Sequence, residues 1–442
     1  MVLLGLTLVP PRSDAAVMFE RLQKQRGLEA AKKLSLALLS EKGEANARSM
    51  ALKCLRHFET LEPAEQLQLF GFWAQALGPD PAAVFDAAKR YLETRDGQSQ
   101  IDLCRQVEPP RQELFRRLNR ADGGVQTLVR LRERLLLHLK QHPDLRVVDA
   151  DLHHLFSSWF NPGFLELHEI TWASPALLLE KIIQHESVHA IDGWDDLRRR
   201  LQPDRRCFAF FHPQLADEPL IFVEVALLPT IPREVAPLLD KRSEPLEPKK
   251  FKCAIFYSIS NCQPGLRGVS LGNFLIKRVA ERIQHEIPGV KTFCTLSPIP
   301  GFTQWLESGT HAEAYGLAPA RAQRLDAARA AIVQGAWRER LTKDWIPADV
   351  DVAQRKAWQA LCFAYLAYGT HHPGGDPVAR FHLANGAVLH NINWAADVSR
   401  KGLAQSAGMM VNYLYELDAV EENHEAFVNR QVVHARGLSR ML

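Results

Sequence analysis

The sequence predicts an α+β protein in which an N-terminal all-α helical bundle is followed by a mixed α/β domain. From about residue 15 to about residue 160, apolar residues recur at helical spacing, with Pro and Gly at the joints. After Asn161-Pro162-Gly163, runs rich in Phe, Ile and Val alternate with helical segments. A chain of 442 residues is too long for one ordinary core. We therefore divide it into a helical domain, 1–150, and a mixed α/β domain, 151–442.

The helices of the first region are predicted from their apolar faces and their first residues. One helix begins after Gly123-Gly124. Four leucines share one face of it: Leu128, Leu131, Leu135 and Leu139. Prolines at which further helices are expected to begin are Pro63, Pro81 and Pro110. The region holds no Asp, Glu, His or Cys grouping at catalytic spacing, so we expect it to serve packing or subunit association.

The second region contains four predicted strands. Their sequences are CFAFF (207–211), PLIFVEVALL (219–228), CAIFYSI (253–259) and KTFCTL (291–296). Polar loops are expected at 243–252 and 371–377, and an Ala/Arg-rich helix near 318–333. Because strands and helices interleave, the sequence predicts a mixed sheet.

Composition excludes several partners. The chain has 54 Lys and Arg residues against 51 Asp and Glu residues, and a net charge of +3. This balance gives no general attraction to nucleic acid or membrane, so we expect neither as a partner. No apolar run approaches the roughly 20 residues of a membrane-spanning helix.

Cysteine usage and the two termini predict a cytoplasmic protein. The seven cysteines are widely spaced without a C-x-x-C pair, which favours a reduced chain but leaves a bridge between chains open. The start MVLLGLTLVPPR lacks a basic residue before its apolar run, which is untypical of a signal peptide. The end GLSRML matches a peroxisomal address only loosely.

A glycine-containing turn links the strand CAIFYSIS to the helix GNFLIKRVAERIQ. Unpaired N–H groups at a helix start bind anions, and glycine lets the backbone approach a pyrophosphate closely. The segment 267–272, RGVSLG, resembles the R/Q-x-x-G-x-G/A turn of acyl-CoA-binding GNAT folds, with Ser270 replacing the first glycine. An ordinary turn whose glycines serve packing is an equally good interpretation.

The segment His185-Glu186-Ser187-Val188-His189 has the spacing of a zinc-peptidase helix. The surrounding sequence PALLLEKIIQHESVHAI is compatible with one helix, but no third ligand follows at the expected spacing. We therefore favour a solvent-facing or hydrogen-bonded His pair and predict no metal site.

Two further residues have ordinary structural interpretations when each is taken alone. Ser297 stands in TLSPIPGF at the end of a predicted strand, where Ser-Pro commonly begins a turn. A strand end beside an anion-binding turn is also where an open α/β sheet presents reactive groups. His382 lies among apolar neighbours, as a core histidine does.

Six segments occur in order through nearly all of residues 157–415. They are SSWFNPGFLELHEITWASPA, RRCFAFFHPQLADEPLIFVEVAL, FYSISNCQPGLRGVSLGNFLIKRV, TLSPIPGF, VARFHLANGA and INWAADVSRKGLAQSAGMMVNYLY. The combination of TLSPIPGF with FHLANGA is specific. Together these segments resemble the malonyl-CoA decarboxylase family, and the N-terminal helices fit its helical domain more loosely.

The resemblance implies a helical domain followed by a GNAT-like catalytic domain, assembled as a homotetramer. It implies conversion of malonyl-CoA to acetyl-CoA and CO2 without a metal or other cofactor. The family motifs place the catalytic serine at Ser297 and the catalytic histidine at His382. The malonyl-CoA-binding turn corresponds to Arg267, Gly268, Val269, Ser270, Leu271, Gly272 and Asn273. Ser270 there replaces an acidic residue of some relatives.

Decarboxylation explains the choice of these residue types. Loss of CO2 leaves an enolate, which needs hydrogen-bond donors at its oxygen and a proton at C2. We expect Ser297 to orient the malonyl group and His382 to donate the proton; proton acceptance by Ser297 stays open. Ser258 and Tyr415 are weaker candidates for supporting residues.

Two other classes of function stay open at the level of sequence. A GNAT-fold acyltransferase would share the CoA-binding turn but would need an acceptor amine. A non-catalytic CoA-binding scaffold would bind malonyl-CoA without turning it over. Malonyl-CoA supplied without an acceptor separates all three classes.

Overall fold

The computed structural model describes residues 14–40, 46–215, 217–269, 271, 275–308, 315–334, 337–341, 345 and 347–442. The chain forms two compact units. The first comprises Met1–Phe164, His212–Ala216 and Gln263–Leu271, and the second comprises Leu165–Phe211, Asp217–Cys262 and Gly272–Leu442. The domain boundary at residues 150 and 151 stays a prediction.

The first unit is helical, as predicted. Its helices are α1 (Asp14–Leu39), α2 (Ala47–Thr60), α3 (Pro63–Ala76), α4 (Pro81–Thr94), α5 (Gly97–Val107), α6 (Pro110–Asn119), α7 (Gly124–His138) and α8 (Arg146–Trp159). The three predicted prolines begin α3, α4 and α6, where the missing N–H has no helical partner to lose. Three of the four predicted leucines, Leu128, Leu131 and Leu135, are completely buried.

The described residues of the second unit form an eight-stranded mixed sheet. Its strands are β1 (Glu166–Ile170), β2 (Arg205–Phe211), β3 (Ile221–Leu228), β4 (Cys253–Asn261), β5 (Thr292–Thr295), β6 (Ser297–Pro298), β7 (Val388–Asn393) and β8 (Met410–Tyr415). β1 to β5 lie in chain order; β8 pairs with β5 and β6, and also with β7. The β4–β5 pair is parallel and the others are antiparallel.

All four predicted strands are confirmed, as β2 to β5. β7 and β8 were not predicted, because asparagines interrupt their apolar alternation. In the structure these side chains satisfy each other: Asn393 Nδ2 donates to Asn412 Oδ1 at 2.7 Å. Asn412 Nδ2 donates in turn to the carbonyl of Thr295 at 2.7 Å. Polar residues are compatible with buried strands when such partners exist.

Helices connect and cover the strands. They are α9 (Ala176–His185), α10 (Gly193–Arg200), α11 (Ala236–Leu239), α12 (Leu275–Glu286), α13 (Phe302–Glu307), α14 (Pro319–Val333), α15 (Trp337–Arg340), α16 (Val352–Ala364), α17 (Pro377–Ala384), α18 (Arg400–Ser406), α19 (Val420–Val428) and α20 (Arg436–Ser439). α16 continues into a π-helical turn, Tyr365–Gly369. The helix predicted after the glycine turn is α12, and the Ala/Arg-rich helix is α14.

The two faces of the sheet are covered by different helices. On one face, Ile182 of α9 and Leu197 of α10 join a buried cluster with Cys207 and Phe222 of the sheet. On the other face, His382 of α17 stacks on the ring of Tyr413. None of the described helices is long and apolar enough to cross a membrane.

The parallel strands β4 and β5 part midway along their length. Their pairing runs from Cys253–Thr292 to Phe256–Thr295. One further hydrogen bond joins the N–H of Leu296 to the carbonyl of Phe256, at 3.1 Å. Beyond it, β4 continues to Asn261 along β3, while the β5 side enters β6 along β8. The sheet therefore opens at the residue before Ser297.

Candidate active site

Two polar side chains that are distant in sequence meet in the second unit. Ser297 Oγ lies 3.0 Å from His382 Nε2, which is hydrogen-bonding distance. Both residues are buried, with 5% of Ser297 and 3% of His382 exposed. The structure thus brings together the two residues that the sequence analysis named as catalytic, and their roles stay predictions.

The strand β6 fixes the Ser297 hydroxyl. Ser297 lies opposite Val411 of β8, and strand alternation puts Thr295 on the same face as Ser297. Ser297 Oγ is 2.8 Å from Thr295 Oγ1, which accepts the backbone N–H of Tyr413 at 3.1 Å. The serine therefore does more than begin a turn, because its hydroxyl is anchored to the sheet.

The His382 ring is fixed by contacts on both of its nitrogens and on one face. It lies in the last turn of α17. The ring stacks on Tyr413, with centroids 4.7 Å apart and planes 26° apart. Nδ1 lies 2.9 Å from the hydroxyl oxygen of Tyr415, opposite the contact with Ser297. A hydroxyl group therefore faces each ring nitrogen.

The neighbouring hydroxyl groups select one pattern of hydrogen bonds around the ring. A neutral imidazole has one N–H donor and one acceptor nitrogen. Because Ser297 donates its one hydroxyl proton to Thr295, Nε2 carries the ring proton and donates it to Ser297. Nδ1 then accepts the hydroxyl proton of Tyr415.

The side chains of His382 and Tyr415 are electrically neutral. Burial lowers the pKa of His382 to about 3, because the charged imidazolium would lose its hydration. Burial also raises the pKa of Tyr415 well above its usual range. At neutral pH both side chains are therefore uncharged, and in the part of the chain that the structure describes no charged side chain is hydrogen-bonded to either one.

The two weaker candidates occupy different places. Tyr415 contacts His382 directly, so it adjoins the pair. Ser258 instead donates its hydroxyl to the carboxylate of Glu186, at 2.8 and 2.7 Å from the two oxygens. Ser258 therefore belongs to a separate buried cluster.

Gly265, which precedes the predicted CoA turn, and Gly268 within it both have structural explanations. A Cβ on Gly265 would lie 2.0 Å from the carbonyl oxygen of Val129, so α7 and the turn meet at a point where only glycine fits. Arg132 donates to the carbonyls of Gly265 and Arg267, at 2.7 and 2.9 Å. Gly268 has φ of +83°, a conformation that favours glycine.

Part of this turn already uses its N–H groups. The N–H of Arg267 donates to the carbonyl of Pro264 at 3.0 Å, and that of Val269 donates to Leu266 at 2.9 Å. Ser270, Gly272 and Asn273 lie outside the described residues, and Leu271 is buried. Any anion bound by backbone N–H groups here would therefore use donors other than those of Arg267 and Val269.

The prediction that one helix spans both histidines of His185–His189 is wrong. α9 ends at His185, because the Glu186 side chain folds back to accept the N–H groups of Val188 and His189, at 2.8 and 2.7 Å. The two histidines are thus not one helical turn apart. Among the described residues, no group of three His, Cys, Asp or Glu side chains is arranged to hold a metal ion.

Sequence reasoning missed three residues that support the pair. Thr295 contacts Ser297, and Tyr413 contacts His382, as described above. The spacing of Thr295 and Ser297 was the available signal for Thr295, because alternate residues of a strand lie on the same face. Asp376 caps α17 by accepting the N–H groups of Val378 and Ala379. The signal there was Asp-Pro, a typical N-cap followed by a first-turn proline.

Comparison with known proteins gives consistent matches over most of the chain. A family model of the malonyl-CoA decarboxylase C-terminal domain matches residues 163–442, and one of the N-terminal domain matches residues 77–160. Mitochondrial malonyl-CoA decarboxylase of Mus musculus is 36% identical over 90% of this chain and 86% of its own length. The enzyme of that name from Anser anser anser is 36% identical over 89% of this chain and 83% of its own.

Solved structures agree with these matches. Malonyl-CoA decarboxylase from Rhodopseudomonas palustris superposes with a TM-score of 0.83 and 43% identity, covering 93% of this chain and 99% of that one. The Agrobacterium vitis structure gives a TM-score of 0.80 and 42% identity, with 93% and 99% covered. The chain therefore belongs to the malonyl-CoA decarboxylase family.

Proposed function

We propose that this chain is a carboxy-lyase that converts malonyl-CoA into acetyl-CoA and CO2. The observation that supports this most is the buried contact of 3.0 Å between Ser297 and His382. It occurs in a chain that matches malonyl-CoA decarboxylases over 90% and 89% of its length.

The reaction breaks the bond between C2 and the carboxylate carbon of the malonyl group. The electron pair of that bond passes into the thioester and leaves an enolate with negative charge on its oxygen. O–H and N–H donors that are already in place stabilise such a charge. Ser297 and His382 supply these donors where water is excluded, and hydrogen bonds there are stronger than in water.

C2 of the enolate then takes up one proton, for which His382 is the proposed donor. The surroundings of the ring keep it neutral, because burial lowers its pKa to about 3. A malonyl carboxylate beside the ring would raise that pKa, since the opposite charge stabilises the imidazolium. The substrate would therefore prepare its own proton donor. Tyr415, on Nδ1, would hold the ring while Nε2 faces the reacting group.

The role of Ser297 has two forms within this proposal. It either orients the malonyl carboxylate or thioester, or accepts a proton during the reaction. Both forms use the contact with His382. A solvent isotope effect on kcat that is lost in Ser297→Ala would favour proton transfer at the serine.

The opening between β4 and β5 supports a GNAT-like fold for the second unit. Beyond Phe256 and Thr295, β4 and β5 no longer pair with each other. Within this described stretch, residues 257–261 of β4 pair with β3 but with no strand on their other side. An extended amide-containing chain can pair with such an edge. We place the pantetheine arm of CoA there, keep Arg267 to Asn273 as the predicted CoA-contacting turn, and include no metal or other cofactor.

Purified protein incubated with malonyl-CoA alone tests the function. We expect CO2 and acetyl-CoA in equal amounts, with both formed much more slowly, but still measurably, in Ser297→Ala. An acyltransferase would require an added amine, and a scaffold would bind malonyl-CoA without turnover. Absence of acetyl-CoA at saturating malonyl-CoA would refute decarboxylation.

Assembly as a homotetramer and a cytoplasmic location are also part of the proposal. The tetramer follows from the family resemblance, and the location from cysteine usage. All seven cysteines are free in the structure, and six of them are buried. Light scattering of the purified protein and fractionation of the source cells test these two points.

A further inference from the structure

The carboxylate of Asp376 joins the two segments that hold Ser297 and His382. Its Oδ1 accepts the N–H groups of Val378 and Ala379, at 3.0 and 2.9 Å, at the start of α17. Its Oδ2 accepts the N–H of Gly301 at 3.2 Å. Gly301 lies four residues after Ser297, and Asp376 lies six residues before His382. One side chain therefore bonds to both segments at once.

The junction at Gly301 is tightly packed. A Cβ there would lie 2.2 Å from the hydroxyl oxygen of Tyr365 and 3.6 Å from Asp376 Oδ2. The Tyr365 hydroxyl donates to the carbonyl of Gly374 at 3.2 Å, in the loop that leads to Asp376. Gly301 is thus enclosed between the phenol and the carboxylate, and a shift of either one would move the Ser297 segment.

Capping alone does not require a charge at this position. Asp376 is completely buried, and burial raises its pKa to about 6 although the three N–H donors act in the opposite direction. The carboxylate is therefore ionised at neutral pH. Asparagine caps helices about as well as aspartate. An asparagine that caps α17 with its oxygen could not also accept the N–H of Gly301, because its NH2 group would face that N–H and both groups are donors.

We propose that Asp376 is a positioning residue for the decarboxylation proposed above, on which this inference rests. Its carboxylate sets the separation of Ser297 Oγ and His382 Nε2 by tying the Ser297 segment to α17. Displacement of a reacting group by about 1 Å can lower a rate by roughly 10²-fold. Loss of the Gly301 bond allows such a displacement while both members of the pair stay in the chain.

Asp376→Asn is the informative substitution, because it keeps the helix cap and removes the acceptor for Gly301. We expect kcat to fall by about 10- to 10²-fold with KM for malonyl-CoA changed less than about threefold. Asp351→Asn is the matched control, since Asp351 caps α16 by accepting the N–H of Gln354 at 2.8 Å. It should leave kcat unchanged. Asp376→Ser, which keeps a shorter cap, serves if Asp376→Asn does not fold.

A double-variant cycle separates positioning from general destabilisation. In a Ser297→Ala background, Asp376→Asn should lower kcat by less than about twofold, since the contact that Asp376 maintains is already lost. The proposal would be overturned if Asp376→Asn lowered kcat by the same factor in the Ser297→Ala background as in wild type. It would also be overturned if the kcat of Asp376→Asn were within about threefold of wild type.

A second readout needs no turnover. In protein with ¹⁵N-labelled histidine, the ring signals of His382, identified by their loss in His382→Asn, should shift in Asp376→Asn and stay in place in Asp351→Asn. Unshifted signals overturn the positioning role. If the wild-type protein is inactive on malonyl-CoA but the His382 signals shift in Asp376→Asn, the proposed decarboxylase function is refuted. The conclusion that Asp376 joins the Ser297 segment to α17 is then still supported.

Discussion

The two faces of the sheet bury polar groups in opposite ways. On the face covered by α10, charges are buried in pairs: Arg200 Nη1 contacts Glu224 Oε2 at 2.9 Å, and its Nε contacts Asp196 Oδ1 at 3.0 Å. On the face covered by α17, Ser297 and His382 meet as neutral groups. A single sheet thus supports an ionic network on one face and a neutral hydrogen-bonded pair on the other.

The difference shows that burial serves two purposes in this sheet: on one face it encloses paired charges that stabilise the fold, and on the other it keeps a reactive pair neutral. A buried charge is costly without a partner, and Arg200 is paired with both Asp196 and Glu224. Burial raises the pKa of Glu224, and Arg200 opposes that shift. The Ser297 and His382 pair has donors and acceptors that a ligand can engage, and its environment disfavours charge until an anion arrives. On this account the substrate supplies the charge that the site lacks.

The largest expected effect is on catalysis at the neutral face. His382→Asn should lower kcat by about 10²- to 10⁴-fold, because it removes the proposed general acid. The measurement is acetyl-CoA production at saturating malonyl-CoA. His168→Asn, an exposed histidine paired with Glu166 on β1, is the control and should keep full activity. A loss below threefold in folded His382→Asn would remove His382 from the role.

The next effect is on stability at the ionic face. Arg200→Met should lower the free energy of unfolding by about 3–5 kcal/mol, because it leaves buried Glu224 without its cation. Chemical denaturation measures this. Arg198→Met, a surface change on the same helix, should cost less than about 1 kcal/mol. Equal losses in the two variants would show that the pairing with Glu224 is not what stabilises this face.

A smaller effect concerns pH. The pKa of His382 is depressed in the folded state, so its contribution to stability is present above pH 6.5 and is lost as pH falls toward 3. Between pH 7 and pH 5, wild type should therefore lose about 2 kcal/mol more stability than His382→Asn. Parallel denaturation curves at the two pH values measure the difference. Identical pH dependence in both proteins would contradict a neutral, buried ring.

The smallest effect concerns the far side of the imidazole. Tyr415→Phe removes the hydroxyl that bonds Nδ1 and should lower kcat by about threefold to tenfold, the value of one hydrogen bond. Tyr413→Phe is a close control. Tyr413 stacks on the same ring, and among the described residues its hydroxyl has no hydrogen-bond partner. An equal loss in both variants would assign the effect to ring packing.

Local features of the fold were predictable because they depend on neighbouring residues. The prolines at Pro63, Pro81 and Pro110 begin helices, since the constraint acts within one turn. The extent of α9 was not predictable, because the Glu186 carboxylate that accepts the N–H groups of Val188 and His189 is also bonded by Ser258, which is distant in sequence. The spacing of apolar residues in a helix gives no information about such a distant partner.

The site could be predicted in part. Motif resemblance named Ser297 and His382, but nothing in their spacing along the chain shows that α17 packs on β8. Ser258 and Tyr415 were indistinguishable in sequence, and only the sheet register places Tyr415 beside the ring. Asp376 had a local capping signal, whereas its bond to Gly301 depends on the tertiary fold.

The protonation state of His382 tests the central claim most directly. In protein with ¹⁵N-labelled histidine at pH 7, the ring should be neutral in the free protein, with one protonated and one unprotonated nitrogen. Addition of a malonyl-CoA analogue that cannot lose CO2 should convert it to the imidazolium. An imidazolium in the free protein, or a ring that stays neutral with the analogue bound, would contradict a site whose charge is supplied by its substrate.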